Sequence, residues 1–437
     1  MQSEQENNFK ISGIYAREIL DSRGNPTIEV EVHTKNSYGI ASVSSGASRG
    51  KYEAFELRDG DKSRYNGKGV KTVVDNIIKI IMPKLLGRDV RAQEDIDRIM
   101  IHLDSTKNKS KLGANAILGV SLATAKAAAN SQGIHLYNYL SNNEANLLPV
   151  PMMNVINGGE HAGNDLSIQE FMILPVGAET FSEALRMGVE VYLSLKKLLR
   201  ASYGPSATNL GDEGGFAPPM RNTYEVLDVL IKAIEQAGYT AGKDVFLGID
   251  VAANEFYDSK KQVYFLDNKS MDRDSLISFY EDMVERYPFY SIEDPFHEDD
   301  FQGFAKITKI LGKRVKIVGD DIFVTNFERL KKGINLGAAN ALILKVNQIG
   351  SLTEAINTAR LALKNDYSVI ISHRSGETED SYIADIAVAL KTGLIKSGAP
   401  ARGERVAKYN RLLKIEIELG NKSIYAGKRI IKADITP

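Results

Sequence analysis

Six ionisable residues occupy the same place in a repeated pattern in the second half of the chain. Each directly follows a short apolar run: Asp250, Glu293, Asp320, Lys345, His373 and Lys396. They lie 43, 27, 25, 28 and 23 residues apart, about one strand–helix unit each, and the first interval has room for an insertion. In a βα barrel the C-terminal strand ends meet at one mouth, where active sites lie. One such acid could equally cap a helix, but a lysine cannot accept that hydrogen bond.

Three of the six are carboxylates, and they would repel one another if no cation lay between them. Oxygen ligands with room for water suit Mg²⁺. The chain has no cysteine, and its histidines form neither an HxxxH pair nor an HExxH motif that would favour zinc. The alternative is that Asp250, Glu293 and Asp320 are buried acids, each paired with a lysine or arginine.

The two lysines are flanked by apolar residues in "LILKVNQ" and "GLIKSGAP". Desolvation and a neighbouring cation would lower the pKa of Lys345 or Lys396 and make either one usable as a base near neutral pH. A lysine base beside a divalent metal suits proton abstraction next to a carboxylate. An acid for a leaving group could come from "NLGDEGGFAPP" or "NDLSIQEFMILP", although the first is also typical of a surface turn.

The elements that must position these residues follow from hydrophobic periodicity. "PTIEVEVHTKNSYGIASV" alternates and predicts an antiparallel hairpin, and two later segments, "VKTVVDNIIKIIMPKLLG" and "GANAILGVSLATAKAAANSQG", predict helices. We therefore predict a disordered tail over residues 1–8 and a small α+β domain over 9–145. Over 146–437 we predict an α/β barrel, because short apolar runs without clean alternation are separated there by amphipathic segments.

Composition narrows the class of protein. The 437 residues are 43% hydrophobic and 25% charged, with a formal net charge of −1, which favours neither nucleic acid nor an anionic membrane as a partner. The longest apolar runs are too short to span a bilayer, and the N-terminus lacks the apolar core of a signal peptide. The absence of cysteine fits a reducing cytosol, so we expect a cytoplasmic protein.

Several motifs in order give the chain a family resemblance. "DSRGNPT", "PVPMMNVINGGEHAGN", "GDEGGFAPP", "SIEDPF", "GDDIFVTN", "SHRSGETED" and "GAPARGERVAKYN" together resemble the enolase (phosphopyruvate hydratase) family over nearly the whole chain. The resemblance implies an N-terminal α+β domain before a modified (β/α)₈ barrel. It also implies Mg²⁺-dependent dehydration of 2-phosphoglycerate to phosphoenolpyruvate by a homodimer or an octamer.

The resemblance also implies a role for each matched residue. Lys345 would remove the C2 proton, and Glu213 would help the C3 hydroxyl leave, with Glu170 assisting. The other implied roles are a first Mg²⁺ on Asp250, Glu293 and Asp320, a second on Ser48, phosphate binding by Arg374 and Ser375, and substrate contacts from His161, Gln169, His373 and Lys396.

The loop "SSGASRG" departs twice from the usual "PSGASTG" of this family. Ser44 replaces proline, which loosens the hinge, and Arg49 replaces threonine, which adds a permanent anion-binding fork. Either Arg49 has drifted and faces solvent, or the substrate carries extra negative charge, as in carboxyphosphonoenolpyruvate synthase. A third hypothesis, a non-catalytic relative that keeps only the fold, would predict decay of the catalytic set, which is intact.

Overall fold

The computed structural model describes residues 8–46, 50–159 and 162–432. Three predicted site residues, Ser48, Arg49 and His161, lie outside these ranges, as do residues 1–7 of the predicted tail. Within the described residues, no helix is both long enough and apolar enough to cross a membrane.

The N-terminal region, here called the cap (residues 9–145), begins with a three-stranded antiparallel sheet of order β1–β2–β3. Its strands are β1 (Gly13–Leu20), β2 (Pro26–His33) and β3 (Tyr38–Ser42). The predicted hairpin is β2–β3, and the alternation of β2 buries Ile28, Val30 and Val32. The division of the chain at residue 145 stays a prediction.

The helices of the cap pack against this sheet and against one another. They are α1 (Lys71–Asn76), a π-helical turn (Ile77–Ile81), α2 (Met82–Leu85), α3 (Gln93–Asp104), α4 (Ala114–Ser131) and α5 (Leu136–Leu140). Both predicted helical segments are therefore confirmed. The Ala-rich α4 approaches β3 so closely that a Cβ on Gly39 would lie 2.2 Å from the backbone nitrogen of Ala127. Small residues thus let the helix backbone lie against the sheet.

Eight strands form a closed barrel, as predicted. In spatial order they are β11 (Phe289–Glu293), β12 (Lys316–Gly319), β13 (Ala341–Leu344), β14 (Ser368–Ser372), β15 (Leu394–Lys396), β5 (Val150–Asn157), β6 (Glu170–Leu174) and β7 (Phe246–Asp250). Neighbouring strands are parallel except that β6 runs antiparallel to both β5 and β7. Nearly all barrel residues are buried, which explains why these strands lack alternation.

Helices surround the barrel between its strands. They are α6 (Phe181–Tyr203), α7 (Thr223–Gln236), α8 (Arg273–Arg286), α9 (Phe301–Leu311), α10 (Phe327–Leu336), α11 (Val346–Ile349), α12 (Leu352–Lys364), α13 (Tyr382–Ala389), α14 (Gly403–Leu419) and α15 (Arg429–Lys432). The insertion expected between Asp250 and Glu293 is a small sheet of β8 (Tyr257–Asp258), β9 (Val263–Leu266) and β10 (Lys269–Met271). A short pair, β4 (Leu147–Leu148) and β16 (Ile424–Tyr425), completes the fold.

The cap contacts the barrel mouth through the segment that follows β3. Ser45 and Gly376 exchange two backbone hydrogen bonds, of 2.7 and 2.9 Å. The backbone nitrogen of Ala54 donates to the carbonyl of Gln348 at 2.8 Å. The described ends of the cap segment that begins at Ser44 are thus hydrogen-bonded to barrel segments that adjoin the predicted site residues Ser375 and Lys345.

Candidate active site

The six ionisable residues of the repeated pattern all lie at the C-terminal ends of barrel strands. Asp250, Glu293 and Lys396 are the last residues of β7, β11 and β15, and Asp320, Lys345 and His373 directly follow β12, β13 and β14. One cavity is lined by most of the predicted site: Gln169, Glu170, Glu213, Asp250, Asp320, Lys345, His373, Arg374, Ser375 and Lys396. The structure therefore brings the predicted residues together as their spacing suggested.

Glu170 reaches the mouth because β6 runs in the opposite direction to its neighbours. It is the first residue of β6, and it pairs with Asn157 at the end of β5 and Asp250 at the end of β7. The chain therefore places Gln169 and Glu170 before an apolar run, whereas the other site residues come after one.

Lys396 lies in the middle of a group of carboxylates. Its Nζ is 2.9 Å from Asp250 Oδ2, 3.0 Å from both carboxylate oxygens of Glu293 and 3.1 Å from Glu170 Oε2. Burial opposes the charge, but these carboxylates outweigh burial and raise the pKa of Lys396 well above its usual value.

Lys345 has a similar environment, because its Nζ contacts Asp320 Oδ2 directly. Burial disfavours its charge, yet the attraction of Asp320 raises the pKa of Lys345 above the usual value. Asp320 also accepts a hydrogen bond of 2.9 Å from Gln348 Nε2. The expectation that either lysine has a lowered pKa is therefore wrong, because the flanking apolar residues do not reveal the carboxylates on neighbouring strands.

Glu213 and Glu170 form a pair of buried acids. Burial and the nearby Glu213 carboxyl raise the pKa of Glu170 well above its usual value, which favours a shared proton between them. Asn154 Nδ2 donates to Glu213 Oε2 at 2.9 Å, and His373 Nε2 lies 3.6 Å from the same oxygen. Burial lowers the pKa of His373 well below its usual value, so the imidazole is neutral.

Arg374 and Ser375 lie where the cap meets the barrel. The guanidinium of Arg374 makes three contacts of 3.2 Å with the Glu53 carboxylate and donates to Asn347 Oδ1 at 2.9 Å. Arg23 Nη1 donates to Ser375 Oγ at 3.3 Å, and its Nη2 donates to the Gly46 carbonyl at 3.1 Å. Two guanidinium groups from different domains therefore flank one end of the site.

Sequence reasoning missed several of these partners. Arg23 lies inside the "DSRGNPT" motif and Glu53 lies just after the "SSGASRG" loop, so their segments carried a signal although the residues were not singled out. Asn154 lies within the motif "PVPMMNVINGGEHAGN", and Asn347 lies within the stretch "LILKVNQ" that carries Lys345. Their partners are remote in sequence, and only the fold identifies them.

A second acidic group lies beside the predicted metal ligands. Carboxylate oxygens of Asp294, Asp320 and Asp321 lie within 4.8 Å of one another, and this group could hold a metal ion. Asp294 and Asp321 were not predicted, although each adjoins a predicted ligand in "SIEDPF" or "GDDIF". Asp294 accepts the backbone N–H groups of Asp320 and Asp321 at 2.9 and 2.8 Å, so it also orients the turn after β12.

The balance of acidic and basic side chains around the cavity indicates whether it suits a metal cation. Among the described lining residues, eight are carboxylates and three are cations: Glu53, Glu170, Glu213, Asp250, Glu255, Asp294, Asp320 and Asp321 against Lys345, Arg374 and Lys396. Burial and the Asp320 carboxylate raise the pKa of Asp321 to about 7, and burial and Asp250 raise the pKa of Glu293 well above normal. This excess of crowded oxygen donors fits a hard divalent cation.

Comparisons with known proteins agree with the geometry. The family described as "Enolase, N-terminal domain" matches residues 11–140, and "Enolase, C-terminal TIM barrel domain" matches residues 145–434. A protein named enolase from Methanopyrus kandleri is 62% identical, over 94% of this chain and 96% of its own. A protein named enolase from Thermococcus gammatolerans is 59% identical, over 97% of this chain and 98% of its own. One from Pyrococcus furiosus is also 59% identical, over 98% of this chain and 99% of its own.

Proposed function

We propose that this chain, which belongs to the enolase family, catalyses the reversible dehydration of 2-phosphoglycerate to phosphoenolpyruvate, the hydro-lyase step of glycolysis. The observation that carries the proposal is the single cavity in which two buried lysines, a pair of buried acids and Arg374 meet. A substrate with an additional carboxylate is not favoured, because the relatives at about 60% identity are named enolase. An intact site likewise disfavours a non-catalytic role.

Lys345 would act as the base that takes the proton from C2 of the substrate. It is the lysine whose Nζ is engaged by a single carboxylate, whereas Lys396 is surrounded by three. An amine must be neutral to accept a proton, so the Lys345–Asp320 ion pair has to open in the working state. Lys396 keeps its charge and would attract the substrate carboxylate.

Glu213 and Glu170 would supply the proton that leaves with the C3 hydroxyl. The raised pKa of Glu170 favours a proton on this pair, which a general acid requires. Asn154 holds Glu213 in place. His373, Gln169 and the undescribed His161 would complete the substrate contacts.

Arg374 and Ser375 would bind the phosphate group. Arginine matches phosphate oxygens with two parallel donors, and Arg23 adds a second guanidinium beside Ser375. Substrate phosphate would therefore lie at the boundary of cap and barrel.

The crowded carboxylates support a divalent cation, and the family resemblance assigns Mg²⁺ to Asp250, Glu293 and Asp320, with a second ion on Ser48. When bound, Mg²⁺ supplies positive charge that stabilises the negative charge developing on the substrate carboxylate as the C2 proton leaves. A lysine or histidine base with one or two Mg²⁺ ions is the known pattern of this superfamily. The family resemblance supports a homodimer or an octamer, acting in the cytoplasm on this small phosphorylated acid.

The test follows phosphoenolpyruvate formation from 2-phosphoglycerate by the wild-type chain with Mg²⁺, and deuterium exchange at C2 by NMR. Lys345→Ala should lower kcat by about 10²-fold or more and abolish exchange. Lys109→Ala is the matched control, because Lys109 is buried and pairs with Glu354 at 3.0 Å outside the site.

Three results would each remove one part of the proposal. No turnover by the wild type would reject the activity. Retained C2 exchange in Lys345→Ala would reject that residue as the base, and full activity in excess chelator would reject the metal.

A further inference from the structure

Arg405 is a fully buried cation that the proposed chemistry does not use. It lies near the start of α14 (Gly403–Leu419), and its side chain is 0% exposed. Burying a guanidinium costs free energy that its hydrogen bonds must offset, so the partners of its two terminal nitrogens reveal what holds it there.

Those partners belong to the two loops that carry the acid and the phosphate-binding residues. Nη1 donates to the carbonyl of Arg374 at 2.5 Å and contacts His373 Nδ1 at 2.6 Å. Nη2 donates to the carbonyl of Ser375 at 2.6 Å and to that of Asp212 at 3.1 Å. One rigid fork therefore links the residue before Glu213 to three consecutive residues after β14.

The contact with His373 determines which nitrogen of the imidazole carries the proton. A guanidinium only donates hydrogen bonds, so His373 Nδ1 must accept, and the neutral ring carries its hydrogen on Nε2. Nε2 is buried and has no hydrogen-bond partner among the described residues. The Glu213 carboxylate oxygen Oε2 lies 3.6 Å from it.

We propose that Arg405 is a positioning residue that fixes His373 as the Nε2–H tautomer, with this hydrogen facing Glu213, and sets the spacing between the Glu213 and Arg374–Ser375 loops. This inference rests on the proposed function, since those loops carry its acid and phosphate-binding groups. Glu213 Oε2 then accepts the hydrogen bond from Asn154 Nδ2 and lies 3.6 Å from the Nε2–H group of His373, so that both side chains hold its carboxyl at the cavity.

The first test needs no substrate. Nitrogen-15 NMR of the resting wild-type protein, with labelled histidine and the His373 signals assigned by their loss in His373→Asn, should show a protonated Nε2 and an unprotonated Nδ1 at neutral pH. A protonated Nδ1, or an equal mixture of tautomers, would overturn the proposal even if the enzyme is fully active.

The second test is Arg405→Lys, which keeps the charge but loses the fork. We expect kcat to fall on the order of 10- to 100-fold, because small displacements of reacting groups have effects of this size. The His373 signals should also move toward a mixture of tautomers, which a purely structural role would not produce.

Arg411→Lys is the matched control. Arg411 lies on the same helix and binds the Asp385 carboxylate at 2.7 Å, away from the cavity. Its kcat and histidine spectrum should match the wild type. Unchanged kcat and tautomer in Arg405→Lys, with an active wild type, would reject the positioning role while leaving the proposed function intact.

Discussion

Glu53 binds Arg374 across the boundary between cap and barrel. Three oxygen–nitrogen distances of 3.2 Å join the carboxylate to both terminal nitrogens of the guanidinium. Both side chains are nearly buried, so the pair is poorly screened by solvent. An anion from the cap thus occupies the fork proposed to bind phosphate.

Neutralising that anion should strengthen binding of phosphate. In Glu53→Gln we expect the KM for 2-phosphoglycerate and the inhibition constant of inorganic phosphate to fall by about 3- to 10-fold, because the Arg374 charge is no longer shared. Glu354→Gln, which breaks the Lys109–Glu354 pair between the same two domains, is the control. A higher KM in Glu53→Gln would mean instead that Glu53 orients Arg374 for its ligand.

Gly39 should be among the least replaceable residues of the cap. An added Cβ would lie 2.2 Å from the backbone nitrogen of Ala127 and 2.3 Å from the carbonyl oxygen of Ala123, and a helix backbone cannot move aside cheaply. We expect Gly39→Ala to lower the free energy of unfolding by about 3 kcal/mol, measured by urea denaturation. Gly403→Ala is the control, since a Cβ there meets nothing within 4 Å. Equal stability of the two variants would contradict this close approach of α4 and β3.

Many residues of the barrel mouth could be predicted from the sequence, because each lies at the C-terminal end of a strand that the apolar runs reveal. An apolar run followed by a polar residue marks a C-terminal strand end, and this rule located Asp250 and Lys396 without any contact information. Glu170 is an exception to this rule, because it precedes its apolar run. Such a residue reaches the same barrel mouth because its strand runs in the opposite direction to its neighbours.

What could not be predicted depends on contacts between residues that are remote in sequence. Glu53 and Arg374 are 321 positions apart, and Arg405 reaches back 193 positions to Asp212. The predicted direction of the pKa shift of Lys345 was wrong for the same reason. The residues beside Lys345 in the chain are apolar, but Asp320, whose carboxylate raises its pKa, lies at the end of the neighbouring strand β12.

Glu18 should contribute to the loss of stability that occurs as the pH falls through about 4. Its carboxylate binds Arg64 and accepts the Val70 backbone N–H at 3.0 Å, and the Arg64 hydrogen bond lowers the pKa of Glu18. A carboxylate with a lowered folded-state pKa stabilises the fold above its unfolded pKa of about 4.5, and this contribution is lost as pH falls through the folded-state pKa.

Glu18→Gln should therefore lower the free energy of unfolding by about 1 kcal/mol at pH 7 and progressively less below pH 4.5. Urea denaturation at pH 7 and at pH 3.5 measures the difference. Glu183→Gln, which affects an exposed pair with Arg186, should change stability by less than about 0.5 kcal/mol at either pH. A Glu18→Gln deficit that is the same at both pH values would show that shape, and not charge, is what Glu18 contributes.

Divalent cations should stabilise the folded chain even without substrate, because the cavity holds more carboxylates than cations. Saturating Mg²⁺ should raise Tm by about 2 to 5 °C, since a ligand that binds only the folded state stabilises it in proportion to the logarithm of its concentration. In Asp320→Asn this increment should shrink, whatever the starting Tm of the variant. Asp282→Asn, which alters an exposed carboxylate paired with Arg286, should keep the full increment. If Mg²⁺ raises the Tm of Asp320→Asn as much as that of the wild type, Asp320 is not a ligand of the stabilising ion.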